Sequence, residues 1–298
     1  MHHGILGAGG VGGLVGAVLA KAGERVTLIL RPQALAQHPQ GIALDSTFGK
    51  FAVPVSLAAK VDQPVDVLWV TVKATQLQSA LESVPAGSQI RAIVPLLNGI
   101  DHVQLLRERF GHDRVIPATI AVESERTAPG VIAHRSPWVR LNAATSGQAV
   151  LESAFQEFSR FGFECNFIDN ETTLLWSKLV FLAPIALSTT AAAAPIGEVR
   201  NAPSRRARLE ACVREACVVA TSGGATIDVD TVLGNIGKLP PQMRSSMQKD
   251  VAAGRSPELD AIAGPILRGA EKHGLPALAT HALVEEIRLR LQTAARQD

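Results

Sequence analysis

The apolar residues of this chain are arranged in two ways. Through about Ile168 they form short runs bounded by turn residues, alternating with stretches of helical spacing; from Asp169 onward only helical spacing recurs. The first run ends at Ile5 and Leu6. Gly7-Ala8-Gly9-Gly10-Val11-Gly12 follows, then a small-residue helix from Gly13 to about Lys21 closed by Gly23, then a second apolar strand, Val26–Leu30. After a helical stretch at Gln33–Gln37, Ile42–Leu44 and Lys50–Val55 read as a β-hairpin. Val65–Val72 and Ile90–Leu97 are nearly continuous apolar runs, as expected of parallel strands covered on both faces. Helices are predicted at Leu77–Leu81, Asp101–Phe110 and Ala149–Phe161. Val115–Val122 reads as a strand, Gly130–His134 and Trp138–Leu141 as a β pair, and Gly162–Ile168 as the strand that closes the sheet.

In the second half, Asp169 or Asn170 can cap a helix that begins at Glu171 and runs past Trp176 and Lys178. Further helices are predicted at Arg205–Thr221, Val229–Ile236, Met243–Ala253, Ala261–His273 and Thr280–Ala295. The fold class is therefore α/β: a doubly wound sheet over residues 1–168, followed by an all-helical domain over 169–298.

Composition narrows the function classes. The chain has 298 residues, room for two domains, and 47% of them are hydrophobic. Its 29 basic and 27 acidic side chains nearly cancel, which gives no electrostatic case for nucleic acid or an anionic membrane. Cys165, Cys212 and Cys217 are odd in number and form no C-x-x-C pair, so they read as reduced, mostly buried thiols of a cytoplasmic protein and not as a metal site. The run Leu179–Ile196 is broken by Pro184, Ser188, Thr189 and Thr190 and reads as a buried helix, not a membrane span.

G-x-G-x-x-G between a strand and a helix, inside a βαβ unit of about 30 residues, is the dinucleotide fingerprint of a Rossmann-type domain. Gly7 permits the tight turn, Gly9 lets the backbone approach a pyrophosphate, and Gly12 lets helix and strand pack closely. The helix N-terminus offers N–H groups and a positive dipole end to the phosphates. At the end of the second strand an NAD enzyme carries Asp or Glu for the ribose 2′-OH. Here Leu30-Arg31-Pro32 stands there, and no carboxylate follows until Asp45. A guanidinium suits a 2′-phosphate, so the expected cofactor is NADP(H). Ligands of such sheets bind beyond the carboxyl ends of the strands, where Gly7–Gly12, Arg31, Lys73 and Asn98 are all expected to converge.

These residues, together with Lys73-Ala74-x-Gln76, Asn98-Gly99, Trp176-Ser177-Lys178-Leu179, Gly197-Glu198-x-Arg200, Ser245-Ser246-Met247-x-x-Asp250 and Glu258-Leu259-Asp260, resemble the ketopantoate reductase (2-dehydropantoate 2-reductase) family over essentially the whole chain. The resemblance implies NADPH-dependent reduction of a 2-oxo acid to a 2-hydroxy acid, a step towards pantothenate. It implies Lys178 as general acid, Glu258 holding Lys178 and substrate, Asn98 beside the nicotinamide and the reacting carbon, and Ser246 on the substrate carboxylate. Lys73 and Gln76 would line the cofactor beside Gly7, Ala8, Gly9, Gly10, Val11, Gly12 and Arg31. The site would lie in the cleft between the domains, and a homodimer through the helical domain is plausible. Burial should lower the pKa of Lys178 while a carboxylate such as Glu258 should raise it.

One departure stands out. Where the family carries asparagines that touch polar groups of the substrate, this chain has Leu182, Ala186 and Ile196, which gives that face of the pocket an apolar character. The expected substrate is therefore ketopantoate or a less hydroxylated 2-oxo acid. Two rivals are an enzyme of the same fold working on another 2-oxo or 2-hydroxy acid, and an NADP(H)-binding sensor without catalysis.

Overall fold

The computed structural model describes residues 1–294, so the helix end expected at Ala295 lies outside the described residues. The chain divides into two compact units: Met1–Leu97 with His102–Leu174, and Asn98–Asp101 with the chain from Leu175 onward.

The first unit begins β1 (His2–Leu6), α1 (Gly10–Lys21), β2 (Arg25–Ile29), α2 (Pro32–Leu35), β3 (Gly41–Ser46), β4 (Gly49–Pro54), β5 (Ser56–Ala58), β6 (Val65–Val70), α3 (Leu77–Ala80), β7 (Ile90–Pro95) and α4 (His102–Phe110). It continues β8 (Ala118–Ala121), β9 (Ser124–Ala128), β10 (Val131–His134), β11 (Val139–Ala144), α5 (Gln148–Phe161) and β12 (Phe163–Ile168). The strands β5-β2-β1-β6-β7 form one sheet, parallel throughout, with β1 at its centre. This is the Rossmann-type order, with the predicted hairpin β3–β4 inserted as antiparallel strands of another sheet. Every residue of β1 is buried and Val67, Leu68, Trp69 and Val70 of β6 are fully covered, as their unbroken apolar runs require.

The sheet assignments beyond β7 need correction. Gly130–His134 and Trp138–Leu141 do not pair with each other. β10 lies between β3 and β9, in the sheet β4-β3-β10-β9, and β11 lies between β12 and β8 in a three-stranded sheet. The strand Gly162–Ile168 closes that small sheet instead of the parallel one. Pairing is a long-range choice that neither run encodes locally, and Pro137 between them has no N–H to give a ladder. Strand β9, Ser-Glu-Arg-Thr-Ala, carries no apolar run at all, which hides it from a hydrophobicity pattern. Buried His134 ties the insert together, with Nδ1 2.8 Å from Ser46 Oγ and Nε2 2.9 Å from Ser136 Oγ.

His3 illustrates how the parallel sheet handles a polar core residue. Its side chain is buried, Trp69 Nε1 donates to its Nδ1 at 3.2 Å, and burial holds its pKa to about 4. The unfolded chain takes up a proton below about 6.5 that the folded chain refuses until about 4. Stability is therefore complete above pH 6.5 and is lost as pH falls towards 4, by about 3 kcal/mol from this group. Urea midpoints measured between pH 7 and 4.5 should fall accordingly, and His3→Gln should flatten that slope; an unchanged slope would refute the assignment.

The second unit is helical: α6 (Glu171–Ala192) from Leu175 on, α7 (Ile196–Asn201), α8 (Pro203–Ser222), α9 (Val229–Gly237), α10 (Ser246–Ala252), α11 (Leu259–His273) and α12 (Leu278–Ala294). Asn170 caps α6, its Oδ1 accepting from Thr173 N at 2.7 Å. By length and composition α6 could cross a membrane, yet 72% of its most apolar window is buried inside the fold. Leu179, Val180, Ala183 and Leu187 pack there with Val213 of α8, Ile266 of α11 and Ile287 of α12. Cys212 and Cys217 are buried and Cys165 half-buried; all three are free thiols, pushed up to about 12, 11 and 11 by desolvation. Among the described residues no group of three metal-ligating side chains occurs. The six-residue α7 follows Pro195 and is too short to show a period; its Arg200 donates to the carbonyls of Ile236, Gly237 and Leu239 and so closes the end of α9.

Candidate active site

The glycine turn leaves the carboxyl end of β1. Gly7 has φ +105°, and a Cβ there would lie 2.7 Å from the Val72 side chain, so both its dihedral and its surroundings demand glycine. At Gly12 a Cβ would lie 2.2 Å from the Gly7 carbonyl oxygen and 2.3 Å from Thr71 Oγ1: helix and turn touch there backbone to backbone. Gly9, the N-terminal flank of α1, differs from both. A Cβ there meets nothing within 4 Å, so the position opens outward, while the first turn of α1 carries no carboxylate. Those orphan N–H groups, with the positive end of the helix dipole, suit a phosphate. Gly10 is needed for a reason outside the fingerprint: its Cβ would strike the Ser124 carbonyl oxygen at 2.1 Å, where β9 packs on the helix start. Ala8 is buried and Val11 half-buried.

Two residues missed in the sequence hold this turn. Thr71 donates its hydroxyl to the carbonyls of Gly7 at 2.7 Å and Leu6 at 3.1 Å, and Ser124 donates to the Gly10 carbonyl at 2.9 Å. A hydroxyl at the end of the apolar run Val65–Val72 is a readable signal for Thr71; for Ser124 the sequence carries none.

Because β1, β2 and β6 are parallel neighbours, their carboxyl ends lie on the same edge of the sheet. Arg31, two residues past β2, is exposed and leads into α2 through Pro32 at the helix start. Lys73, three residues past β6, is half-buried and caps a short turn of 3₁₀ helix whose last residue is the exposed Gln76. The glycine turn, Arg31 and Lys73 are thus gathered at one edge of the first unit.

The second unit assembles a different set. Asn98 Nδ2 donates to Glu258 Oε2 at 3.0 Å, and Glu258 is buried at the start of α11. Lys178 is half-buried on α6, and its pKa is lowered to about 8, desolvation of the ammonium outweighing the opposing charge of Glu258. An amine in that range is charged at neutral pH and still able to release a proton. Lysine, carboxylate and amide thus form one charge-coupled group drawn from α6, α11 and the Asn98–Asp101 segment.

Ser246 is exposed at the first position of α10. Its neighbour Ser245 is the buried cap: Oγ accepts from Gln248 N at 3.1 Å and lies 2.9 Å from Thr189 Oγ1 of α6. Thr189 in turn donates to the Ile185 carbonyl at 2.7 Å, so a chain of hydroxyls fastens α10 to the Lys178 helix. Leu182, one turn beyond Lys178, is half-buried, whereas Ala186 and Ile196 are enclosed in the core of the unit. The stripe through Lys178 therefore presents Leu182, while Ala186 is enclosed and the Thr189 hydroxyl beyond it is already committed to other partners.

The family model described as ketopantoate reductase PanE/ApbA matches residues 3–146, and that described as ketopantoate reductase PanE/ApbA C terminal matches residues 170–291. The chain is similar to a 2-dehydropantoate 2-reductase of Caulobacter vibrioides, 29% identical over 290 residues and covering 94% of this chain and 96% of the relative. With a 2-dehydropantoate 2-reductase of Mycobacterium tuberculosis it shares 30% identity over 297 residues, 94% of each chain. The crystal structure of a PanE/ApbA family ketopantoate reductase from Ralstonia eutropha JMP134 superposes with a TM-score of 0.85 at 27% identity, covering 98% of this chain and 99% of that one.

Proposed function

The chain belongs to the ketopantoate reductase family of oxidoreductases, and from that premise we propose that it reduces 2-dehydropantoate or a related 2-oxo acid to the 2-hydroxy acid with NADPH, Lys178 acting as general acid. The observation that carries this reading is the coupled set in the second unit: an amine lowered to about 8 by burial, beside a buried carboxylate that accepts from Asn98.

The residues of the first unit suit a nicotinamide dinucleotide. The open position at Gly9 and the acid-free helix start would take the pyrophosphate, and the exposed Arg31 guanidinium would take a 2′-phosphate. When bound, that cofactor supplies the hydride. The chain supplies the rest. Ketone reduction builds alkoxide character on the carbonyl oxygen, and the Lys178 ammonium both stabilises that charge and delivers the proton. Glu258 keeps the ammonium charged despite its desolvation and fixes its direction. Asn98, by donating to Glu258, orients the carboxylate. Ser246 would hold the substrate carboxylate.

Assays of reduced-nicotinamide oxidation with 2-dehydropantoate, 2-oxoisovalerate and longer apolar 2-oxo acids test the proposal, with NADPH and NADH run side by side. Turnover of at least one acid, with NADPH preferred over NADH, is the expected outcome; no turnover of any 2-oxo acid would refute the chemistry. A second reading, a substrate without the hydroxyl, is favoured by Leu182 on the Lys178 face and by the prior commitment of the Thr189 hydroxyl. On that reading 2-oxoisovalerate exceeds 2-dehydropantoate in kcat/KM, because Leu182 offers the substrate hydroxyl no hydrogen bond. A preference for 2-dehydropantoate by two decades would eliminate it.

A further inference from the structure

The segment Asn98–Asp101 is fastened to α11 at three points. Asn98 donates to Glu258 at 3.0 Å. Gly99, at φ +80°, lies so close to the helix that a Cβ would stand 2.3 Å from the Ala261 carbonyl oxygen. Asp101 accepts from Arg268 Nη2, while Nη1 of the same guanidinium donates to Asp260 at 2.8 Å. Arg268 reaches both carboxylates by lying flat along its own helix, across Gly264: a Cβ at 264 would fall 2.3 Å from Nη2 and 2.6 Å from Nη1. Glycine inside a helix is destabilising relative to alanine, and here its empty side is filled by the guanidinium.

We propose that Arg268, lying in the notch left by Gly264, is a positioning residue that clasps the Asn98 segment to α11 and so keeps Asn98 on Glu258. This rests on the reading of Lys178 and Glu258 given above. A planar guanidinium shared by two carboxylates has the fork geometry for such a clasp, where a lysine would make a single point contact. Its effect passes through Asp101 to Asn98, and from Glu258 to the ammonium.

Three variants test it: Arg268→Gln, Asp101→Asn and Gly264→Ala. The last adds a methyl that displaces only the flexible end of Arg268, so the helix forms at least as well as before. Each variant is expected to lower kcat about tenfold with the nicotinamide KM within about twofold, since a small misplacement near the chemistry costs rate more than binding. The alkaline limb of the kcat/KM profile should move up from about 8, because a loosened segment admits water and relieves the desolvation of Lys178. Arg268→Gln with Asp101→Asn should be no worse than either alone, the mark of one shared interaction. Amide hydrogen exchange of residues 98–101 should quicken in all three variants at unchanged melting temperature. Wild-type kcat and pH profile in Arg268→Gln, or a loss of melting temperature without a change in kcat, would overturn the inference. If the wild-type protein reduces no 2-oxo acid, the chemical reading fails, while exchange at 98–101 still decides the clasp: faster supports it, unchanged refutes it.

Discussion

Lys178→Ala is expected to lower kcat by about three orders of magnitude, within the range that loss of a positioned general acid produces. The same change should leave NADPH affinity within about twofold, because the glycine turn and Arg31 belong to the first unit and are untouched. The size follows from two roles lost together: proton delivery to the carbonyl oxygen, and a cation beside the developing alkoxide in a desolvated setting. The pH dependence gives an independent check. With the amine held to about 8, the charged, proton-donating form predominates at pH 7 and is depleted as pH rises through 8, so wild-type kcat/KM should fall on the alkaline side with that midpoint. In Lys178→Ala the limb should vanish along with the rate. Lys178→Arg keeps the charge but cannot give up its proton in this range, so it should recover binding of the acid and little of the rate. A Lys178→Ala enzyme with wild-type turnover would remove lysine from the mechanism, and a wild-type protein that reduces no 2-oxo acid while Lys178→Ala keeps its full response to NADPH would make the protein a sensor.

Substitutions in the glycine turn should divide into two kinds, and the division locates the dinucleotide. Gly9→Val places its Cβ where nothing lies within 4 Å, at φ −84°, an ordinary dihedral. The fold should be unaffected to within about 0.5 kcal/mol, while the NADPH Kd should rise about 100-fold, equivalent to about 2.8 kcal/mol, as the branched side chain occupies the phosphate position. Gly12→Ala should do the reverse. Its methyl group would press on the Gly7 carbonyl oxygen, Thr71 Oγ1 and Ile5 Cγ2, at 2.2, 2.3 and 2.9 Å, where two of the three belong to the central strand and its turn. The expected cost is about 3 kcal/mol of folding stability, at the upper end for overpacking. Thermal unfolding and NADPH fluorescence titration on both variants give the test. Gly9→Val binding NADPH as tightly as wild type would place the phosphates elsewhere.

Much of the fold was legible because its signals are local. The runs at Val65–Val70 and Ile90–Pro95 are apolar on both faces, and only a parallel strand covered by helices asks for that. Gly23 closed a helix as predicted, since a left-handed residue past a helix end is a one-residue requirement, whereas Gly162, read as the start of a strand, ends α5 in the same left-handed way. Partners were less legible: β10 and β11 are adjacent in sequence and belong to different sheets, and β9 is polar along its length. Among the candidate site residues, Lys178, Glu258 and Asn98 were named through the family resemblance, which carried nothing of their mutual geometry. Ser246 was named for its motif, whereas the buried hydroxyl that anchors the helix belongs to Ser245. Leu182 remains at a half-buried surface, while Ala186 and Ile196 are core residues of the helical unit.

The sequence alone thus determined the glycine turn, the helical second half and the helix that carries Lys178, because each rests on contacts between residues near one another in the chain. Tertiary structure decided what brings distant residues together. It set the desolvation that lowers Lys178 to about 8 and the placing of Asn98 on Glu258, 160 positions away. It also set the packing of Ser124 against Gly10 and the course of Arg268 across Gly264 to Asp101. Desolvation and long-range hydrogen bonds depend on what the rest of the chain covers, and no local pattern of residues carries that information.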